Sequence, residues 1–208
     1  MKILVKFPTR ERPDQFVTAI AEYIKNSESY IEYIISIDED DKEMLKLSTE
    51  FNMQHIAKMT YKVGKRVSKI EACNRDIEGD WDILVLASDD MRCVQQGWDT
   101  IIKEKMGNDL DQCLWFNDGH QTRICTMSIM GRKRYDKYGY IYHPSYVSLF
   151  CDNEFTEVHK PKYFEQCLFE HYHPAIGKGV NDDLYRYNES LWGVDEENYN
   201  KRKQLGFP

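Results

Sequence analysis

The chain has no Cys-x-x-Cys pair; its six cysteines, Cys73, Cys93, Cys113, Cys125, Cys151 and Cys167, are dispersed. That spacing excludes a zinc knuckle and offers no disulfide frame, so reduced thiols in an intracellular protein are expected. No apolar run is long enough to cross a bilayer, and no basic leader precedes an apolar stretch. The expectation is a soluble, cytoplasmic protein without a membrane span. Basic charge is also scarce: 28 Lys and Arg against 35 Asp and Glu leave a formal net charge of −7. A general nucleic-acid binder needs a basic face to displace counterions from phosphates, so that class is excluded, while a local basic patch stays open. No internal repeat, low-complexity segment or Gly/Ser linker divides the 208 residues, and one domain over 1–208 is expected. Oligomeric state is not legible.

What is present begins with Asp80 to Met91, DWDILVLASDDM. Ile83 to Ala87 form a continuous apolar run, as in a strand covered on both faces of a mainly parallel sheet. It ends in Ser88, Asp89 and Asp90. In open α/β sheets the crevice beyond the carboxyl ends of the strands holds the ligand. Adjacent carboxylates repel unless a cation lies between them, and oxygen ligands suit Mg²⁺ or Mn²⁺. Ser-Asp-Asp is equally good turn and N-cap chemistry, so the other segments must decide.

Lys2 to Phe7 reads as a first strand, followed by Pro8, Thr9, Arg10, Glu11 and Arg12 and by a helix opened at Pro13, with Phe16, Ile20, Tyr23 and Ile24 at helical spacing. Arginine forks suit phosphate, although two arginines in a loop are also ordinary surface residues. Tyr30 to Ile37 is a second strand ending in Asp38, with Asp40 and Asp41 capping a helix over Glu43 to Phe51. Gln54 to Tyr61 is a weaker third strand. Gly64 opens a helix carrying Lys65, Arg66, Ser68, Lys69, Asn74 and Arg75, whose early cations make sense beside a phosphate.

Further on, Gln95 to Met106 is an amphipathic helix with Trp98, Ile101 and Ile102 inward. Cys113 to Phe116 is a strand ending in Asn117, Asp118 and Gly119, and Arg123 to Met130 another. Gly131 to Tyr138 is a basic segment, and Tyr140 to Tyr146 an aromatic loop. Phe150 to Phe155 embeds Asp152 and Glu154 among apolar residues ahead of a helix, and Cys167 to His171 is a last strand, ended by Tyr172, His173 and Pro174. The tail has helical character over Asp182 to Asn188 and Glu196 to Leu205. Aromatic residues make up 13% of the chain, 14 of them Tyr, and crowd its second half, where they suit a flat polar ligand or half-buried strands.

The number and order of these pieces resemble the GT-A nucleotide-sugar glycosyltransferases, nearest to family 2-like members. The pieces are FPTRERP (Phe7 to Pro13), SIDEDD (Ser36 to Asp41), the GKRVSKIEACN segment, LASDDM with GWD at Gly97 to Asp99, CDNEF (Cys151 to Phe155) and HYHP. The resemblance covers residues 2 to 190. It implies an α/β, Rossmann-like domain with a mainly parallel mixed sheet flanked by helices. A nucleotide-binding half would span about 1–92 and an acceptor half about 93–190, with a helical tail over 191–208.

By the same resemblance, Pro8, Thr9, Arg10 and Arg12 would contact the nucleotide, Asp38 the base or ribose, and Lys65 and Arg66 the ribose or phosphates, with Asn74 behind them. Asp89 and Asp90 fall on the Asp-x-Asp motif of such enzymes, here Ser-Asp-Asp, so the first carboxylate is missing. Asp90 is then the expected ligand of Mn²⁺ or Mg²⁺, while Asp89 takes ribose or metal. His171 or His173 would add a ligand; alternating on a strand, at most one reaches the ion. Asp152 or Glu154 falls where inverting members carry the general base, with Asp152 also a possible N-cap. Asp118 would meet donor or acceptor sugar and is next in line as the base if neither of those acids serves, and His143 and Tyr146 would meet the acceptor.

The implied reaction moves a sugar from a nucleotide-diphosphate sugar, UDP-sugar foremost, to an unidentified acceptor hydroxyl. Two rivals remain: a sugar-nucleotide nucleotidyltransferase, which usually has a Gly-rich loop after the first strand where this chain has none, and a non-catalytic nucleotide-sugar-binding protein.

Overall fold

Ile3, Val5 and Phe7 of the first strand pack on one side of the sheet while Leu4 and Lys6 face the other, and each set meets its own layer of helices. This alternation follows from the two-residue period of a strand, and burial on both faces explains why the run is nearly all apolar. The computed structural model describes residues 1–51 and 57–208.

The elements run in the order β1 (Ile3–Pro8), α1 (Pro13–Lys25), β2 (Glu32–Asp38), α2 (Lys42–Glu50), β3 (Lys58–Gly64), α3 (Lys69–Asn74), β4 (Ile83–Leu86), β5 (Met91–Cys93), α4 (Trp98–Met106), β6 (Cys113–Asn117), β7 (Ile129–Gly131), α5 (Arg132–Tyr138), α6 (Cys151–His159), β8 (Lys162–Cys167), β9 (Phe169–His171), α7 (Asp183–Ser190) and α8 (Trp192–Gln204). A seven-stranded sheet has the order β3-β2-β1-β4-β7-β6-β8. Its β3, β2, β1 and β4 are mutually parallel, β6 and β8 are parallel to each other, and β7 runs antiparallel to both its neighbours. The expected mainly parallel, mixed α/β sheet is present. Among the described residues no helix is long and apolar enough to cross a membrane.

One face is filled by α1 and α4. Tyr23 stacks on Phe169 with ring centroids 4.9 Å apart, and Trp98 is fully buried, its indole N–H donating to the Tyr23 carbonyl at 2.9 Å. Burying side chains of this size stabilises the fold by roughly 1.5–3 kcal/mol each. The opposite face joins Leu4, Ile34, Leu84 and Leu86 to Ile70 of α3 and Phe155 of α6. Lys6 breaks that apolar pattern: its fully buried ammonium bonds the Ser36 hydroxyl and stands 3.9 Å from Asp76, and burial pulls its pKa down to about 8.

Several elements differ from the sequence reading. The third strand runs on to Gly64, and residues 54–56 of its expected span lie outside the described residues. Gly64 ends that strand instead of opening a helix. The helix starts at Lys69, where the Ser68 hydroxyl caps it by accepting the Glu71 N–H at 3.1 Å, so Lys65 and Arg66 lie in the preceding loop. The strand expected over Arg123 to Met130 shrinks to Ile129–Gly131. Its backbone donors are spent on side chains: the Gln121 amide oxygen accepts from Arg123 and Ile124 N–H at 2.8 and 3.0 Å, and the Thr156 hydroxyl from Cys125 N–H at 2.8 Å. The basic segment after Gly131 is helix α5, the last strand shortens to Phe169–His171 as β9, and an unexpected strand, β8, precedes it.

A candidate active site at the carboxyl ends of the strands

The chain leaves β1 to build β2 and β3 on one side and later adds β4 on the other, so the loops after β1 and β4 diverge at a topological switch point. A crevice outside the carboxyl ends is the geometric consequence. It holds a cleft of about 540 Å³, lined by Thr9, Arg10 and Arg12 after β1, Asp38 after β2, Ser88, Asp89 and Asp90 after β4, and Arg66, Lys69 and Arg75 around α3. Asp152, Thr126, His171 and His173 line it from the second half of the chain, and Tyr185, Tyr187 and Asn188 of α7 close it over.

The two acids after β4 have different neighbours. Asp89 is clasped by Arg12 at 2.9 Å, with the Thr9 hydroxyl at 3.4 Å. Its pKa is raised by burial and by Asp90, which together outweigh Arg12. Asp90 bonds the Ser88 hydroxyl, and its Oδ2 stands 3.6 Å from Nε2 of His171. Burial would raise its pKa, but His171 and Ser88 bring it below the usual carboxylate range. The cause is a two-stranded ribbon: β5 pairs antiparallel with β9 so that Met91 opposes His171, and the Tyr172 N–H donates to the Asp90 carbonyl at 2.7 Å.

On its other side His171 Nδ1 faces Asp118 Oδ2, also at 3.6 Å. Burial alone would depress the pKa of this imidazole, but the two flanking carboxylates lift it to about 9. His173 falls just past the end of β9, so strand alternation does not govern it and both rings line the cleft, with centroids 5.0 Å apart. His173 Nδ1 accepts the Ala175 N–H at 3.2 Å, and its ring stacks on His120 at 5.3 Å.

Of the residues expected at the nucleotide, Arg10 holds Asp38 at 3.0 Å and Asp40 at 2.6 Å, and Arg75 holds the other oxygen of Asp38 at 3.1 Å. Arg12 also forks onto Asp182 at 2.7 and 2.8 Å, tying the start of α7 to the site. Pro8 and Arg66 line the cleft, with Arg66 5.9 Å from the Tyr187 ring centre. Lys65 and Asn74 do not line it. The Asn74 side chain is spent on the aromatic loop, accepting from Ile141 and Tyr142 N–H at 3.0 and 3.1 Å and donating to the Tyr142 carbonyl at 2.7 Å.

Asp152 and Glu154 part company. Phe150 is the N-cap of α6, with no side-chain cap bond, so Asp152 is not the cap; it lies in the first turn and lines the cleft. Burial raises its pKa, offset only in part by Lys69 and by N–H groups of the helix start. Glu154 is turned away and closed off: Arg202 of α8 forks onto it at 2.7 and 2.8 Å, and the Tyr146 hydroxyl donates to it at 2.8 Å. Neither Glu154 nor Tyr146 lines the cleft. His143 pairs with Ser145 outside the cleft. Asp118 sits behind His171 and not in the lining, so it is not placed to touch a sugar.

The sequence reading missed His120, Asp182, Asp195 and Arg202. Nothing local marks them, because each acts on a partner distant in the chain or brought near by a loop. Among the described residues no three His, Cys, Asp or Glu side chains form a group that could hold an ion by themselves. Asp90 and His171 nevertheless stand closer than twice the ~2.1 Å reach of a divalent ion to one ligand. Mg²⁺-type sites take one or two protein carboxylates and complete the shell with water and substrate phosphate. A two-residue protein contribution therefore fits such an ion in a diphosphate site.

The fold is that of the GT-A nucleotide-sugar glycosyltransferases. A mannosyltransferase, PcManGT from Pyrobaculum calidifontis in complex with GDP-Man and Mn²⁺, matches with a TM-score of 0.66 and 11% identity over 97% of this chain and 64% of its own. TarS 1-349 of S. aureus, in complex with UDP-GlcNAc, matches at 0.61 and 11% identity over 82% of this chain and 58% of its own. The 4-diphosphocytidyl-2C-methyl-D-erythritol synthase of Anaerococcus prevotii matches at 0.54 and 13% identity, over 92% and 96% of the two chains. The chain thus spans less than two thirds of PcManGT and TarS. No family model matches it, and no curated protein matches it in sequence.

Proposed function

We propose that the chain transfers a sugar from a nucleotide-diphosphate sugar to an acceptor hydroxyl, with inversion and with a divalent cation, Mn²⁺ or Mg²⁺. The observation that carries this reading is a single cleft in which Asp90 and His171 stand 3.6 Å apart and Asp152 lines the wall. Asp90 and His171 would hold the cation, which would supply charge neutralisation to the leaving diphosphate. Arg66 and Lys69 add positive charge to the phosphate region, and the Arg10–Asp38–Arg75 cluster forms the base and ribose end. Asp152 takes the proton of the acceptor hydroxyl as its oxygen attacks the anomeric carbon. The bond from that carbon to the diphosphate oxygen breaks, and its electron pair leaves with the nucleoside diphosphate. A raised carboxyl pKa favours this role, because a base works best when its pKa approaches the working pH. UDP-sugars and GDP-sugars are the donors to test first, given the complexes of the structural neighbours.

The test is a panel of nucleotide sugars with Mn²⁺, followed by Asp152→Asn on the active donor. The expected outcome is a fall in kcat on the order of 10²–10⁴ with donor affinity unchanged. Parent-rate transfer by that variant, or a product that retains the donor's anomeric configuration, overturns the assignment. Nucleotidyl transfer is the second reading, favoured by the synthase neighbour whose whole length the chain nearly spans. Release of pyrophosphate from a nucleoside triphosphate, in place of nucleoside diphosphate from a sugar nucleotide, marks it.

A further inference from the structure

Asp118 is 2% exposed and stands behind His171, away from the cleft. Its Oδ1 accepts the His120 and Gln121 N–H groups at 2.9 and 3.0 Å, and its Oδ2 accepts the Thr126 hydroxyl at 2.7 Å. The same Oδ2 faces His171 Nδ1 at 3.6 Å, and among the described residues that buried ring nitrogen has no partner at hydrogen-bonding distance. The backbones are joined as well, His171 N–H donating to the Asp118 carbonyl at 2.8 Å. A buried carboxylate is costly unless its oxygens meet donors, and its three bonds already meet that need. Aiming the carboxylate at an imidazole as well has a chemical consequence.

We infer that Asp118 is a positioning residue that fixes the proton of His171 on Nδ1 and turns the Nε2 lone pair toward Asp90, where the cation is held. A carboxylate only accepts hydrogen bonds, so Nδ1, which faces Asp118, carries a hydrogen; Nε2 faces Asp90 in the same way, and a cation seated between those two would take the place of the Nε2 proton while Asp118 keeps the one on Nδ1. The small gap between 3.6 Å and a hydrogen bond closes by a slight turn of the ring. The inference rests on the proposed cation site.

The experiment measures Mn²⁺ affinity in the presence of UDP or GDP, by the electron paramagnetic resonance of free Mn²⁺, for the parent, Asp118→Asn and Asp118→Ala. In Asp118→Asn the amide oxygen can keep the backbone bonds while the NH₂ group faces the ring. That donor demands a lone pair at Nδ1, puts the hydrogen on Nε2 and so blocks the ligand position. Mn²⁺ affinity is expected to fall about 10–100-fold, with nucleotide binding in the absence of metal unchanged. The ranking is the discriminating readout: Asn should bind Mn²⁺ no better than Ala. A merely structural Asp118 predicts the reverse, since Asn is the closer replacement. If the Asn variant does not fold, Thr126→Val frees one bond to Asp118 and should show a smaller loss of the same kind. Parent-like Mn²⁺ affinity in Asp118→Asn, or in Thr126→Val where that is the variant measured, overturns the inference and leaves the proposed function standing. A parent protein that binds the nucleotide but takes up no Mn²⁺ overturns the cation site and the inference together.

Discussion

Carboxylates in this chain take their roles from their neighbours. Asp89 and Asp90 are adjacent, yet one is clasped by Arg12 and the other faces His171. Asp152 and Glu154 stand two apart on a helix, where side chains diverge by roughly 200°, so a motif containing both could serve the cleft with only one. The acidic pair was legible in the sequence; the helix start at Cys151 that separates its members was not, because Asp152 itself looked like the cap. His159 shows the same dependence on surroundings. It is buried between Tyr138 and Phe155, each with its ring centre 4.6 Å away, and its Nδ1 has no partner among the described residues. Burial, reinforced by the Arg134 charge, pulls its pKa from 6.5 down to about 4. Between those two values the unfolded chain holds the extra proton, so this residue lowers stability as pH falls through that window and has no such effect above it. The full change is on the order of 3 kcal/mol. His159→Phe should flatten that part of the stability curve. Urea midpoints of parent and variant that track each other between pH 7 and about pH 4 would show that His159 does not titrate in this way.

Elements were legible where a period of two or 3.6 is written in apolar residues, as in β1, α1, β2, β4 and α4. They were illegible where side chains compete for the backbone, as in the shortened β7, or where a strand lies at the sheet edge with polar residues exposed, as in β8. The tail read as helical, but its purpose did not, since its partners lie far away in the chain. Asp195 of α8 is fully buried and accepts the N–H groups of Val147, Ser148 and Leu149 at 2.9, 2.7 and 2.7 Å. Those residues lead into α6, so α8 fixes the approach to Asp152. Asp195→Ala strands these donors and is expected to cost ~3–5 kcal/mol; Asp195→Asn, which keeps one acceptor oxygen, should recover part of it. Chemical denaturation decides this, and a loss within about 0.5 kcal/mol, as for an ordinary surface change, would remove α8 from its supporting role.

For the whole molecule, the sheet order joins the first and second halves of the chain at β4 and β7, and the Arg12–Asp182 fork brings α7 back over the first half. Although the net charge is −7, Arg10, Arg12, Arg66, Lys69 and Arg75 converge on the cleft. These cations share the cleft with Asp38, Asp89, Asp90, Asp152 and Glu189, and five cations gathered in one enclosed site on an acidic molecule favour a compact anion over a long polyanion, because an extended phosphate backbone would meet the acidic surface outside the cleft. A ligand that binds only the folded state raises its stability by mass action, ~2.7 kcal/mol at a hundredfold excess over Kd. In a domain of this size each kcal/mol moves Tm by roughly 2–4 °C, so UDP or GDP with Mn²⁺ should raise Tm by ~5–11 °C. Nucleotide alone should give a smaller rise, borne by the arginines around Asp38. Asp90→Ala should keep that smaller rise and lose the Mn²⁺-dependent remainder, since among the described residues the Asp90 side chain holds no backbone donor and its removal should leave the sheet intact. An Asp90→Ala protein that still shows the full Mn²⁺-dependent shift would move the cation elsewhere in the cleft. A parent with no shift for either nucleotide would mean that this cleft, for all its arginines, takes no nucleoside diphosphate.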